Sequence, residues 1–197
     1  MKKIISVLLI GLMILSAVGL SFADDTVGAV SAKKDTSYTL EEMLEYAIED
    51  EYMAKAEYDY VIDNLGGDRP FTNIVKAEER HISLLKPLFE TYGVDLPEFD
   101  SNIYLVKPDS LENSFTLGID AEIANIAMYE AFLKEDLPKD VQNVFEYLKS
   151  GSEKHLKAFE NGVNGNKVQG RINNRKGRNS NNERLGIGIR RDGFNRK

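Results

Sequence analysis

The sequence predicts an all-α fold, a four-helix bundle of two antiparallel helix pairs joined by a long crossover. Three observations predict it. Four segments carry apolar residues at helical spacing. The connections between them run short, long, short. A repeat then sets acids and histidines on the faces that should be buried. Residues 51–58 read Glu-Tyr-Met-Ala-Lys-Ala-Glu-Tyr and residues 122–129 read Glu-Ile-Ala-Asn-Ile-Ala-Met-Tyr. Each begins on Glu, carries Tyr seven residues later on the same helical face, and follows an acid two residues upstream, Glu49 or Asp120. A histidine lies downstream of each, His81 within Glu78-Glu79-Arg80-His81 and His155 within Ser152-Glu153-Lys154-His155.

The first 23 residues stand apart from the fold. Lys2-Lys3 precede an apolar run from Ile4 to Leu20, and Ser21-Phe22-Ala23 is a small-x-small cleavage site. Residues 1–23 read as a secretory signal peptide cut after Ala23; an uncleaved anchor is the alternative, since the run approaches the roughly 18 residues that span a bilayer. With no Cys, the chain has neither disulfides nor a lipidated cysteine, and a domain of this size buries enough core without staples.

Residues 24–37 are small and polar without periodicity and read as a linker. The first helix begins at Thr39, which has capping-box spacing to Glu42. Its stripe runs through Leu40, Met43, Leu44, Ala47, Ile48, Ala54, Val61, Ile62 and Leu65 and stops at Gly66-Gly67. The second helix opens after Asp68 with Pro70 in its first turn. Phe71, Ile74, Val75, Ile82, Leu85, Leu88 and Phe89 form its stripe, Pro87 should kink its last turns, and Gly93 ends it. Residues 94–109 contain Pro97 and Pro108 and are too long for a tight turn; Leu96, Phe99, Ile103, Leu105 and Val106 suggest a crossover packed along the bundle. The third helix runs from near Ser110 to Asp136 with a bend expected at Gly118. The fourth runs from Pro138 to about Asn161, with Val141, Val144, Phe145, Leu148 and Phe159 inward. The bundle is thus expected over residues 38–161.

The net charge of −7 conceals an asymmetry, because residues 161–197 hold ten Lys or Arg against Glu183 and Asp192. An acidic body is therefore joined to a basic tail. Residues 162–197 are rich in Asn, Gly and Arg, offer almost no core, and read as disordered. In an exported protein such a tail meets anionic cell-envelope polymers rather than a specific nucleic acid. The sequence leaves oligomeric state open, a homodimer included.

Placed against the stripes, the acids become informative. Glu51 falls mid-stripe in the first helix, Glu78 and His81 share one face of the second, Glu122 lies between Ile119 and Ile126, and His155 sits four before Phe159. Buried charges are costly unless paired or bound to metal, and three carboxylates with two imidazoles suit iron, manganese or zinc. A hydrogen-bonded Glu–His network without metal is the alternative. Tyr58 and Tyr129 are inward by phase, either as core aromatics whose hydroxyls find a buried partner or as donors that orient a ligand carboxylate. Glu49 and Asp120 point away from the ligands and are expected at the surface. No Gly-rich phosphate loop opens a helix, there is no Cys nucleophile, and no Ser-His-Asp set can be argued.

These residues resemble the ferritin-like superfamily, particularly rubrerythrin-type and related exported ferritin-like domains. That family's pattern is Glu on the first helix, Glu-x-x-His on the second, Glu on the third and Glu-x-x-His on the fourth. The resemblance implies a metal site of Glu51, Glu78, His81, Glu122 and His155, holding one or two transition-metal ions, iron foremost. It further implies a secreted di-iron or di-manganese oxidoreductase acting on oxygen or peroxide. The chain departs from the pattern at Ser152, where the family has Glu. Ser152 keeps the inward phase, and Glu153 is roughly 100° around the helix. Five candidate ligands remain, compatible with two ions and a bridging hydroxide or with a single ion. A non-catalytic helical bundle that engages the cell envelope through its basic tail is the alternative function.

Overall fold

The computed structural model describes residues 27–184, and side chains as far as residue 165. The expected signal peptide lies outside the described residues. Among the described residues the chain is all-helical: α1 (Gly28–Ala32), α2 (Leu40–Leu65), α3 (Phe71–Tyr92), α4 (Ser101–Tyr104), α5 (Leu111–Phe132) and α6 (Lys139–Arg184). No helix among them is long and apolar enough to cross a membrane.

Local chemistry sets the helix ends. The Thr39 side chain accepts from the Glu42 amide at 3.2 Å while the Thr39 amide donates to Glu42 Oε2 at 2.7 Å, the reciprocal capping box expected at the start of α2. Ser110 caps α5 by accepting from the Asn113 amide. Gly66 and Gly93 terminate α2 and α3 at φ 68° and 67°, a left-handed conformation that side chains with a Cβ resist.

Two hydrophobic clusters fix how the helices run. The first contains Met43 to Ile48 of α2, Ile82 to Phe89 of α3, Met128 to Phe132 of α5 and Val141 to Leu148 of α6. The second contains Tyr58 and Val61 of α2, Phe71 to Val75 of α3, Phe115 of α5 and Phe159 of α6. Helices α2 and α6 therefore run from the first cluster to the second, and α3 and α5 run back. The pairs α2–α3 and α5–α6 are antiparallel hairpins, and the crossover carries the chain from one end of the bundle to the other, as the connection lengths predict. Between the clusters lies a layer of buried polar residues.

Five expectations need correction. The stretch read as a linker contains α1, whose Ala29 and Ala32 are buried. The α1 amides of Gly28 and Ala29 donate to Glu49 Oε2 at 3.1 Å and Asp50 Oδ1 at 2.9 Å, so Glu49 is half-buried and engaged rather than a free surface acid. Short polar sequences hide such an element, because side chains of a neighbouring helix supply its capping. Leu96, Ile103 and Val106 of the crossover are exposed, whereas Phe99 stacks on Tyr52 at 5.8 Å. Gly118 lies inside an uninterrupted α5; a Cβ there would meet the Phe159 ring at 2.8 Å, so the glycine serves close helix packing rather than a bend. Finally, α6 continues through the expected disordered tail to Arg184. Residues 162–184 contain no Pro, and extending an existing helix needs no new nucleation step. Lack of core residues predicts lack of packing, not lack of helix. Residues 185–197 lie outside the described residues.

Candidate metal centre

The polar layer is built from one or two turns of each long helix. Glu51, Glu78, His81, Glu122 and His155 are all buried, from 1% exposed at Glu51 to 7% at His155. Each sits where its helix passes between the two apolar clusters, so the fold excludes water from above and below.

The ligand atoms converge in two sets of three. Glu51, Glu78 and His81 form one set, and Glu78, Glu122 and His155 form the other; within each, the atoms lie within 4.8 Å of one another. Glu78 belongs to both. Its Oε2 lies 2.8 Å from His81 Nδ1, and its Oε1 lies 3.0 Å from His155 Nδ1. Glu51 Oε2 reaches His81 Nδ1 at 2.9 Å, and Glu122 Oε1 is 3.5 Å from His155 Nδ1. The two imidazoles stack with centroids 5.7 Å apart.

The tyrosines of the repeat are exchanged between its halves. Tyr58, seven residues after Glu51, donates to Glu122 at 2.8 Å, and Tyr129, seven residues after Glu122, donates to Glu51 at 2.8 Å. Each outer carboxylate is thereby held by the opposite half: Glu51 takes Tyr129 on Oε1 and turns Oε2 to His81, whereas Glu122 meets both Tyr58 and His155 through Oε1. That reciprocity makes the site a pseudo-symmetric unit with Glu78 at its middle.

Electrostatics follow from burial and crowding. Burial pushes Glu51 well above the ordinary carboxylate range, and the Glu78 charge adds to it. Burial also pushes Glu122 up, with the same Glu78 charge contributing. Burial alone would raise Glu78 as well, but contacts with His155 and His81 outweigh it and hold that carboxyl at about 2. Burial would lower both histidines. Glu51 and Glu78 instead raise His81 to about 10, and Glu122 and Glu78 raise His155 to about 9. The metal-free cluster is therefore stabilised by imidazolium cations around an ionised Glu78.

The donor set fits a transition-metal ion. Carboxylate oxygens and imidazole nitrogens are the ligands that iron, manganese and zinc take. His155 Nδ1 supplies the independent sign: it is buried yet makes no hydrogen bond, because the oxygen at 3.0 Å is at ion-pair distance without hydrogen-bond alignment. A ring nitrogen that faces carboxylates at ion-pair distance without an aligned hydrogen bond is a feature that a metal ion would satisfy.

The fourth side of the layer is neutral. Ser152 is buried, as its phase predicts, and its hydroxyl donates to Asn125 Oδ1 at 2.8 Å; Glu153 is exposed. Asn125 in turn donates from Nδ2 to Asp50 Oδ2. A chain of hydrogen bonds thus runs from Ser152 through Asn125 to Asp50 and the Ala29 amide of α1. Sequence reading missed Asn125 and Asp50. Asn125 was findable, since it lies three residues after Glu122 and four before Tyr129 on the inward stripe; Asp50, beside Glu51, carried no comparable signal. Gly151 completes the wall: a Cβ there would lie 2.5 Å from the His81 ring, so only glycine lets α6 approach that imidazole.

A family described as an uncharacterized protein domain, DUF2202, matches residues 41–176, more than half of the chain. The chain belongs to the DUF2202 family. The matched span contains all five inward acids and histidines, Ser152 and both exchanged tyrosines, and omits α1. Among solved structures, a hypothetical protein from Methanococcus jannaschii DSM 2661 is similar at 23% identity and a TM-score of 0.59, over 66% of this chain and 83% of that one. That similarity is one of fold. No curated protein matches the chain.

Proposed function

We propose that this DUF2202 protein is a secreted, ferritin-like metal protein. Glu51, Glu78 and His81 would hold one transition-metal ion, Glu78, Glu122 and His155 a second, with iron first and manganese or zinc as alternatives. The observation that carries the reading is the pair of buried ligand sets sharing Glu78, with His155 Nδ1 left unbonded. Bound iron or manganese would supply redox chemistry toward oxygen or peroxide. The chain's own residues bury the site, orient Glu51 and Glu122 through Tyr129 and Tyr58, and exchange imidazole protons for ligand bonds as metal enters.

Anaerobic loading with ferrous iron followed by elemental analysis tests the reading. One to two ions per chain are expected, lost when Glu78 and His81 are both replaced by Ala. Retention of fewer than about one ion per five chains by the wild-type protein would falsify it, given the affinity a preformed buried site confers.

A second reading has a specific observation in its favour. The cluster is able to neutralise itself with protons, as the raised His81 and His155 show, and Ser152 supplies no carboxylate. On that reading the bundle is non-catalytic and engages anionic envelope polymers through its basic C-terminal segment. Absence of metal together with salt-sensitive binding to anionic polymer would favour it.

A further inference from the structure

Outside the metal centre, one cavity combines apolar walls with charge of a single sign. It is a half-open cleft of about 220 Å³ on the seam between α2 and α5, flanked by the crossover on one side and by α1 on another. Asp50, Met53, Ala54 and Glu57 enter it from α2 at spacings of three and four residues, so they form one stripe of that helix. Ala121 and Ala124 face them from α5, small enough to leave the space open. Among the described residues no lysine or arginine lines the cavity; the charged groups in it are the Asp50 and Glu57 carboxylates.

The stripe is rotated by one residue from the one that bears Glu51 and Tyr58, and the two spaces are divided by Asn125, which is 5% exposed and bonded to Asp50 on one side and Ser152 on the other. The cavity is therefore separate from the metal layer. Besides α2 and α5, its walls come from α1 and the crossover, elements outside the four long helices. Burial and the neighbouring Asp50 charge hold the Glu57 carboxyl at about 7, even with a Val106 backbone hydrogen bond opposing them. Asp50 accepts from the Ala29 amide and Asn125, and half-buried Glu57 from the Val106 backbone, but among the described residues neither carboxylate has a cationic partner to offset its partial burial.

We propose that this cavity binds a small organic ammonium, its short aliphatic body against Met53, Ala54 and Ala124 and its ammonium group between the carboxylates of Asp50 and Glu57. Charge complementarity selects the cation. The apolar lining selects an alkylammonium over a hydrated metal ion, which would have no oxygen ligands along most of the wall.

The test uses n-hexylammonium and its neutral counterpart 1-hexanol as probes, titrated calorimetrically into the metal-free full chain at about pH 8, where a free carboxyl is ionised. Working without metal keeps the outcome independent of the metal centre. Hexylammonium should bind at least about tenfold more tightly than hexanol, the margin of one charge-assisted hydrogen bond. Glu57→Gln should erase that preference. Ala124→Leu, which fills the cavity from the opposite wall, should abolish binding of both probes, with circular dichroism verifying the fold. Ala54→Leu repeats the block from α2 if Ala124→Leu fails to fold. Equal affinity for the two probes, no binding of hexylammonium, or unchanged binding with the cavity filled would each overturn the proposal.

Discussion

Tyr58 and Tyr129 each tie a hydroxyl to the carboxylate of the other half of the repeat. Replacing either with Phe leaves a buried carboxylate oxygen without its donor, at a cost of about 1–3 kcal/mol. Urea unfolding of the metal-free protein should show that loss for both variants. Metal affinity should also fall, by about 10–100-fold, as when a group that orients a ligand is removed. Unchanged affinity in both variants would reduce the tyrosines to core packing. Protonation is decided at the same scale. His81 and His155 are raised from the ordinary 6.5 to about 10 and about 9, so the folded metal-free state binds protons that the unfolded state has released. Their contribution is complete below about pH 6.5 and is lost as pH rises through about 9 to 10. Raised Glu51 and Glu122 act in the same direction. Glu78, depressed to about 2, acts oppositely, and its contribution is lost only in strong acid. The melting temperature of the metal-free protein should therefore fall between neutral pH and pH 10. Metal loading should flatten that dependence and release protons, read as a calorimetric enthalpy that varies with the buffer's ionisation heat.

At the scale of the element, α6 packs closely against α3 at Gly151. The 2.5 Å separation between a Cβ there and the His81 ring cannot be accommodated without moving the imidazole or the helix. Gly151→Ala should destabilise the protein by about 1–3 kcal/mol, the usual cost of overpacking, and lower metal occupancy together with stability. Gly165→Ala serves as the control. That position has open space around it, and alanine improves helix propensity there by up to about 1 kcal/mol. A Gly151→Ala protein as stable as the control would mean that α6 does not sit against His81. The elements also show where sequence patterning works. The stripes of α2, α3, α5 and α6 were legible because each buries one face, and burial writes its period into the chain. Helix α1 was not legible, because five residues hold too little periodicity and its amides are satisfied by Glu49 and Asp50 from α2.

For the whole molecule, the buried layer sets stability against function. Three acids and two histidines between apolar clusters are a liability that metal would remove. A ligand bound only by the folded state raises stability by RT ln(1 + [L]/Kd), about 2.7 kcal/mol at a hundredfold excess over Kd. Saturating ferrous or manganous ion should raise the melting temperature of wild type, and raise it less in Glu51→Ala. Equal melting temperatures with and without metal would favour the non-catalytic bundle. Ser152→Glu probes the neutral side of the same layer. Supplying a carboxylate opposite Glu78 should move stoichiometry toward two ions, while breaking the bond to Asn125. No change in stoichiometry or in ferrous oxidation rate would mean that Ser152 does not line the site.

The sequence by itself determined the four long helices, their inward faces and the five residues that meet in the polar layer, because helical phase is a local property that one strand of text records. It also determined that Ser152 points inward where a carboxylate is absent. Only the tertiary structure decided which residues are partners. Glu78 stands at the centre because both histidines reach it, the tyrosines cross to opposite halves of the repeat, and Asn125 joins Ser152 to Asp50. These pairings depend on the rotation of one helix against another, which helical phase leaves free and side-chain packing between the two apolar clusters sets.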